Sequence, residues 1–133
     1  MRVVLDTNVL VSAIFFSGTP ARILTAWSEG RFEILASLEI LIEYRDVVAR
    51  LARRFPSVEA GPVLDLVARR CHLVEPLPVP ESACDDRDDL KFLACASAGM
   101  ADCIVSGDRA LLRASGFEGI DVFTPRAFAR RHL

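Results

Sequence analysis

Apolar residues arrive along this chain in two rhythms. Short, β-branched runs occur at residues 3–5, 32–36, 71–74, 103–105 and 120–123, each bounded by polar residues or glycine, as buried strands are. Between them lie segments with helical spacing. One covers 8–16, a second runs from Thr19-Pro20 to Glu29 with Gly30 as its stop, and a third covers 38–54 behind a Ser37 cap, ending at Phe55-Pro56. A fourth lies near 58–70, with Gly61-Pro62 near its start. A fifth opens at Asp88 or Asp89, buries Phe92, Leu93 and Ala96 and ends at Gly99. A short sixth follows Asp108 as far as Leu112, and the last starts at Thr124-Pro125. Pro76, Pro78 and Pro80 make 75–83 an extended loop. Strands alternating with helices predict one α/β domain over residues 1–133, a parallel β-sheet flanked by helices on both faces.

Composition agrees with a well-packed interior. Of the 133 residues 52% are hydrophobic, and the mean hydropathy is +0.32. Charges interrupt every apolar stretch well short of a membrane span, and the first strand starts too early to leave space for a signal peptide. The expectation is therefore a cytoplasmic protein without a membrane partner. Cys71, Cys84, Cys95 and Cys103 form no CxxC pair and are read as small core residues. A net charge of −2 argues against generic electrostatic binding of nucleic acid. Every basic residue except Lys91 is nevertheless an arginine, the side chain that grips phosphate through two parallel hydrogen bonds. The arginines crowd residues 45–70 and 126–131, where solvated helix faces account for them as readily as a ligand does.

The acids are more informative. Asp6 directly follows the first strand and Asp108 closely follows the strand at 103–105, so both fall at carboxyl ends of parallel strands, where open α/β sheets bind ligands. Asp89 opens a helix beyond the proline-rich loop, and Asp85, Asp86 and Asp88 stand just before it. Helix capping is the competing explanation for each of these aspartates. Jointly they point elsewhere: carboxylates converging on one sheet edge raise each other's pKa unless a cation neutralises them. Mg²⁺ or Mn²⁺ takes such oxygen ligands without needing histidine or cysteine. His72 and His132 lie far from the acids, which disfavours histidine-based general acid–base chemistry.

These residues resemble the motifs of PIN-domain nucleases. Val3 to Ala13, with Asp6-Thr7-Asn8 at its centre, is similar to the family's opening motif, and Ser37 to Tyr44 to the segment carrying its glutamate. Asp89 to Ala96 is similar to the third acidic helix, and Ala101 to Asp108 to the fourth motif. The nearest branch is the single-domain, VapC-like toxins. The resemblance implies a PIN-like three-layer sandwich, with Asp6, Glu43, Asp89 and Asp108 as metal-binding and catalytic acids. It implies Asn8 and Ser106 as residues that orient carboxylates or water. It also implies Mg²⁺ or Mn²⁺ as cofactor, single-stranded or looped RNA as substrate, a small antitoxin protein as partner, and a homodimer. Leu90 stands where relatives often carry an acid or amide, which leaves Asp88 and Asp86 as alternatives to Asp89.

Other functions fit less well. A phosphoaspartyl phosphatase wants an acid where Asn8 stands, and a receiver domain wants a lysine after a late strand, whereas Lys91 lies in a helix. A PIN-like scaffold that binds RNA or a protein without cutting rests on Leu90 alone.

Overall fold

Five runs pair as strands. The computed structural model describes residues 1–133, with β1 (Arg2–Leu5), β2 (Glu33–Ala36), β3 (His72–Leu73), β4 (Cys103–Val105) and β5 (Asp121–Phe123). All four pairings are parallel, and the strand order is β3-β2-β1-β4-β5. Val3, Val4, Leu5, Leu35 and Ile104 are almost wholly shielded from water. Each such side chain contributes about 1.5–3 kcal/mol by its burial, so the central strands hold the fold without help from their ends.

Seven helices connect and cover these strands: α1 (Thr7–Phe15), α2 (Thr19–Ser28), α3 (Leu38–Arg54), α4 (Ala60–Arg70), α5 (Leu90–Ala98), α6 (Arg109–Arg113) and α7 (Pro125–His132). The chain first moves outward from β1 through β2 to β3, then crosses back to β4 and β5 on the other side of β1. Right-handed crossovers place helices of the outward path on one face and α5 on the other. There α5 packs across β1, β2 and β4. Because the direction reverses between β1 and β4, a crevice opens beyond their carboxyl ends. The Asp6 amide donates to the Val105 carbonyl at 2.9 Å, so the two strands stay paired up to its mouth.

Local signals act largely as the sequence predicts. Ser37 caps α3 by accepting from the Ile40 amide at 3.3 Å, and Thr124 caps α7 by accepting from the Ala127 amide at 3.1 Å. The matching Thr19-Pro20 step works differently: Thr19 is already helical, behind Gly18 at φ 124°. Gly99 ends α5 as expected, but without taking the left-handed turn itself. Its φ is −86°, and Met100 takes the left-handed turn at φ 55° instead. A Cβ on Gly99 would lie 2.8 Å from Leu35 Cδ1 and 2.9 Å from Val74 Cγ2, so the glycine lets α5 approach the sheet. His132, the last residue of α7, packs against the rings of Phe123 in β5 and Phe128 in α7. Cys84, Cys95 and Cys103 are buried and Cys71 is half-buried; burial pushes Cys95 and Cys103 up to about 12.

Candidate active site

The crevice between β1 and β4 collects the acids. Asp6, Glu43, Asp86, Asp88, Asp89 and Asp108 line one cavity of about 270 Å³, together with Thr7, Asn8, Val47 and Phe92. Asp6 comes from the end of β1, Glu43 from α3, Asp89 from the start of α5 and Asp108 from the turn after β4. The residues picked out as acids in the sequence are thus brought together, with Asp86 and Asp88 beside them. Leu90 packs against the core and does not line the cavity.

Three of these aspartates occupy the N-cap position of a helix; none makes a capping hydrogen bond of normal geometry, although Asp108 lies close enough to the Ala110 and Leu111 amides to feel them. A capping aspartate turns an oxygen onto the free amides of the first turn. Asp86 does so, accepting from the Asp88 amide at 3.0 Å. Asp6 instead accepts from the Ser106 hydroxyl at 2.6 Å, and Ser106 Oγ accepts from the Asp108 amide at 2.9 Å. One buried hydroxyl therefore ties together the residues that follow β1 and β4. Oδ2 of Asp89 and Oδ2 of Asp108 are buried and have no hydrogen-bond donor outside this facing carboxyl pair. Two carboxyls held face to face with no other donor can stay together only by sharing a proton or a cation.

The electrostatics follow from this crowding. Burial raises the pKa of Asp6, and the Ser106 hydroxyl partly offsets the rise. Burial, then the facing Asp108 carboxyl, pushes Asp89 up to about 8. Asp108 moves the other way, held down chiefly by Asp89 and further by the backbone amides of Leu111 and Ala110. The pair thus carries one proton near neutral pH, on Asp89. Glu43 has its own arrangement: Oε2 accepts from the Thr7 hydroxyl and Oε1 pairs with the Lys91 ammonium at 2.8 Å.

The sequence reading missed Thr7 and Lys91. Thr7 lies inside the Asp6-Thr7-Asn8 motif, and a threonine at a helix start carries no signal of its own that it meets Glu43. Lys91 had a signal, as the single lysine in an otherwise all-arginine set. Asn8 lines the cavity but is exposed and makes no hydrogen bond, unlike Ser106. The arginines nearest the acids are not the crowded central ones. Arg87, Arg109 and Arg113 line an adjoining groove that shares Asp86, Asp88 and Asp108 with the cavity. Arg87 is paired with Glu81 and Arg113 with Asp85, which leaves Arg109 without a salt bridge.

An all-oxygen donor set with two buried carboxylate oxygens that no outside donor satisfies fits a hard divalent cation. No group of three Asp, Glu, His or Cys side chains stands ready to hold a metal ion as placed. The fit therefore rests on donor chemistry and on the facing carboxyls of Asp89 and Asp108.

Comparison with known proteins accords with this geometry. Over nearly its full length the chain is similar to the crystal structure of PAE2754 from Pyrobaculum aerophilum. The TM-score is 0.62 at 18% sequence identity, over 97% of this chain and 87% of that one. No curated protein matches the sequence. The family model for the PIN domain matches residues 2–110, which include all four motifs and every acid that lines the cavity. This chain belongs to the PIN-domain family, a family of nucleases.

Proposed function

We propose that this protein is a divalent-metal-dependent endoribonuclease that hydrolyses RNA phosphodiester bonds. One observation carries the reading: Asp89 and Asp108 face each other beside Asp6 with buried oxygens that no donor outside the pair satisfies, at the crevice where the strand order reverses. Asp6, Glu43, Asp89 and Asp108 are the set that would hold Mg²⁺ or Mn²⁺. The bound ion would lower the pKa of a water molecule and offset negative charge at the phosphate.

The chain's own groups supply the rest. Ser106 fixes the Asp6 carboxylate, leaving its other oxygen for the ion. Asp89 would hold the ion in its ionised form, so ion binding would be coupled to loss of the proton it carries in the metal-free protein. Asp108, on the turn after β4, accepts a proton from the attacking water or positions it. Arg109 meets a phosphate that flanks the scissile one, in the groove it shares with Arg87 and Arg113. Asn8, at the exposed mouth, orients the water or a substrate hydroxyl. Single-stranded or looped RNA is the preferred substrate, because its backbone reaches a recessed carboxylate site.

By resemblance to VapC-like proteins, we also assign it as the toxin of a toxin–antitoxin pair. It would act in the cytoplasm as a homodimer restrained by a small antitoxin. No single helix is long and apolar enough to cross a membrane. Leu38 and Ile42, one turn apart on α3, and Leu73 and Leu77 at the β3 edge are exposed and offer apolar surface for such contacts.

The test is cleavage of labelled single-stranded RNA with Mg²⁺ or Mn²⁺, comparing wild type, Asp6→Asn and an EDTA control. Metal-dependent cutting lost in Asp6→Asn is expected. Neither cutting nor metal binding would overturn the enzyme reading in favour of a PIN-like scaffold that only binds.

A further inference from the structure

Glu43 differs from its neighbours in having both carboxylate oxygens engaged. Thr7 donates to one, and Lys91 Nζ stands 2.8 Å from the other. The same ammonium donates to the Asp88 carbonyl at 2.6 Å and lies 5.5 Å from the centre of the Phe92 ring. Its side chain is only 13% exposed. Three fixed neighbours and limited solvent make this a built position rather than a passing surface contact. The residue type fits the place: lysine offers a compact point charge on a flexible stem, where arginine would present a wide planar fork.

The buried oxygens without an outside donor, by contrast, are all on the aspartate side of the cavity, at Asp89 and Asp108. A pair of catalytic ions about 3.5–4 Å apart needs carboxylates from both sides to share, and Glu43 is already claimed. Charge points the same way. The ammonium offsets Glu43, and one divalent ion then leaves the three aspartates with a single excess negative charge. A second ion would have to displace Lys91 from Glu43 and from the Asp88 carbonyl.

We propose that Lys91 is the resident cation of the cluster. It holds Glu43 in reserve, so that the cavity takes one divalent ion, on Asp6, Asp89 and Asp108, instead of two ions spread over all four acids. The proposal rests on the metal-dependent reading above and divides its four acids into three ligands and one positioned group. Glu43, oriented by Lys91 and Thr7, then faces water or substrate without touching the ion.

The experiment is Mn²⁺ binding to the intact chain without RNA, followed by calorimetry for stoichiometry and by electron paramagnetic resonance for spin coupling between ions. Wild type is expected to bind one ion per chain. Lys91→Met is expected to bind two, with a coupled Mn–Mn signal, while Lys91→Arg and Glu43→Gln each keep one. Circular dichroism checks that every variant is folded, and Glu43→Gln tests the division of roles without altering Lys91. Two ions in wild type, one ion in folded Lys91→Met, or loss of the ion in Glu43→Gln would each overturn the proposal while leaving metal dependence intact. No ion bound to wild type would overturn the metal reading itself.

Discussion

Tyr44 donates its phenolic hydrogen bond to the Leu5 carbonyl at 2.5 Å, across the interior between α3 and the end of β1. Each partner stands one residue from an acid, Glu43 on one side and Asp6 on the other. The bond therefore sets the spacing of the two carboxylates through the backbone. Tyr44 is completely buried, and burial holds its hydroxyl in the protonated, donating form. Tyr44→Phe removes the donor and leaves the Leu5 carbonyl unpaired, so we expect a loss of about 1–3 kcal/mol, read by urea denaturation. Mn²⁺ affinity should fall with it, and an unchanged denaturation midpoint would disprove the role.

Ser106 offers a cleaner separation of site from fold. Its hydroxyl makes two hydrogen bonds, donating to Asp6 and accepting from the Asp108 amide. Ser106→Ala should weaken metal binding by about 10–100-fold, the usual cost of losing a group that orients a ligand. Calorimetry would measure it, and Ser106→Thr should recover part of the loss by restoring the hydroxyl.

The metal-free protein should lose stability as pH rises. Asp89 titrates near 8 when folded, against an ordinary aspartate value of 3.8. Between those values the folded state holds the extra proton, so the slope of unfolding free energy with pH is negative for this group. Its contribution is complete below about pH 4 and is lost as pH climbs through 8. Asp6, also raised, acts in the same direction. Thermal melts of wild type and Asp89→Asn in EDTA should diverge across this window, and saturating Mg²⁺ should flatten the wild-type curve by taking the proton's place. Parallel pH profiles for the two metal-free proteins would contradict the assignment.

Gly99 marks where α5 meets the sheet. Gly99→Ala drives a methyl group into Leu35 and Val74, and over-packing of this kind costs about 1–3 kcal/mol. The melting temperature should drop accordingly. Met100→Gly, at the exposed left-handed turn, should raise it by relieving backbone strain of about 1 kcal/mol.

Arg109 tests the substrate groove. Arg109→Ala should weaken RNA binding and lower the slope of log affinity against log salt by about one contact's worth. Mn²⁺ binding should not change. Filter binding at several salt concentrations reads the slope directly.

Much of this architecture is legible in the sequence because its signals are local. The buried runs at 3–5 and 103–105 stop at the residues that begin the site, and Ser37 caps α3 as its chemistry dictates. Gly99 was harder, since a glycine after a helix looks the same whether it supplies a left-handed turn or space. Glu43 could not be found from pattern alone, because a mid-helix glutamate is usually solvated; only the resemblance singled it out. Lys91 and Arg109 depended on which side chains face each other across α3, α5 and the turn after β4. No spacing along the chain encodes that.

The bond between Ser106 and Asp6 joins residues 100 positions apart. During synthesis β1 leaves the ribosome first, but it has no β4 beside it and Asp6 has no Ser106. Domains generally fold as units when their long-range partners become available. The nascent chain consequently carries its acids as separate carboxylates until β4 has been made and can pair with β1. For the ribonuclease proposed above, this order of assembly would keep the site from acting on the message and ribosome that are producing it.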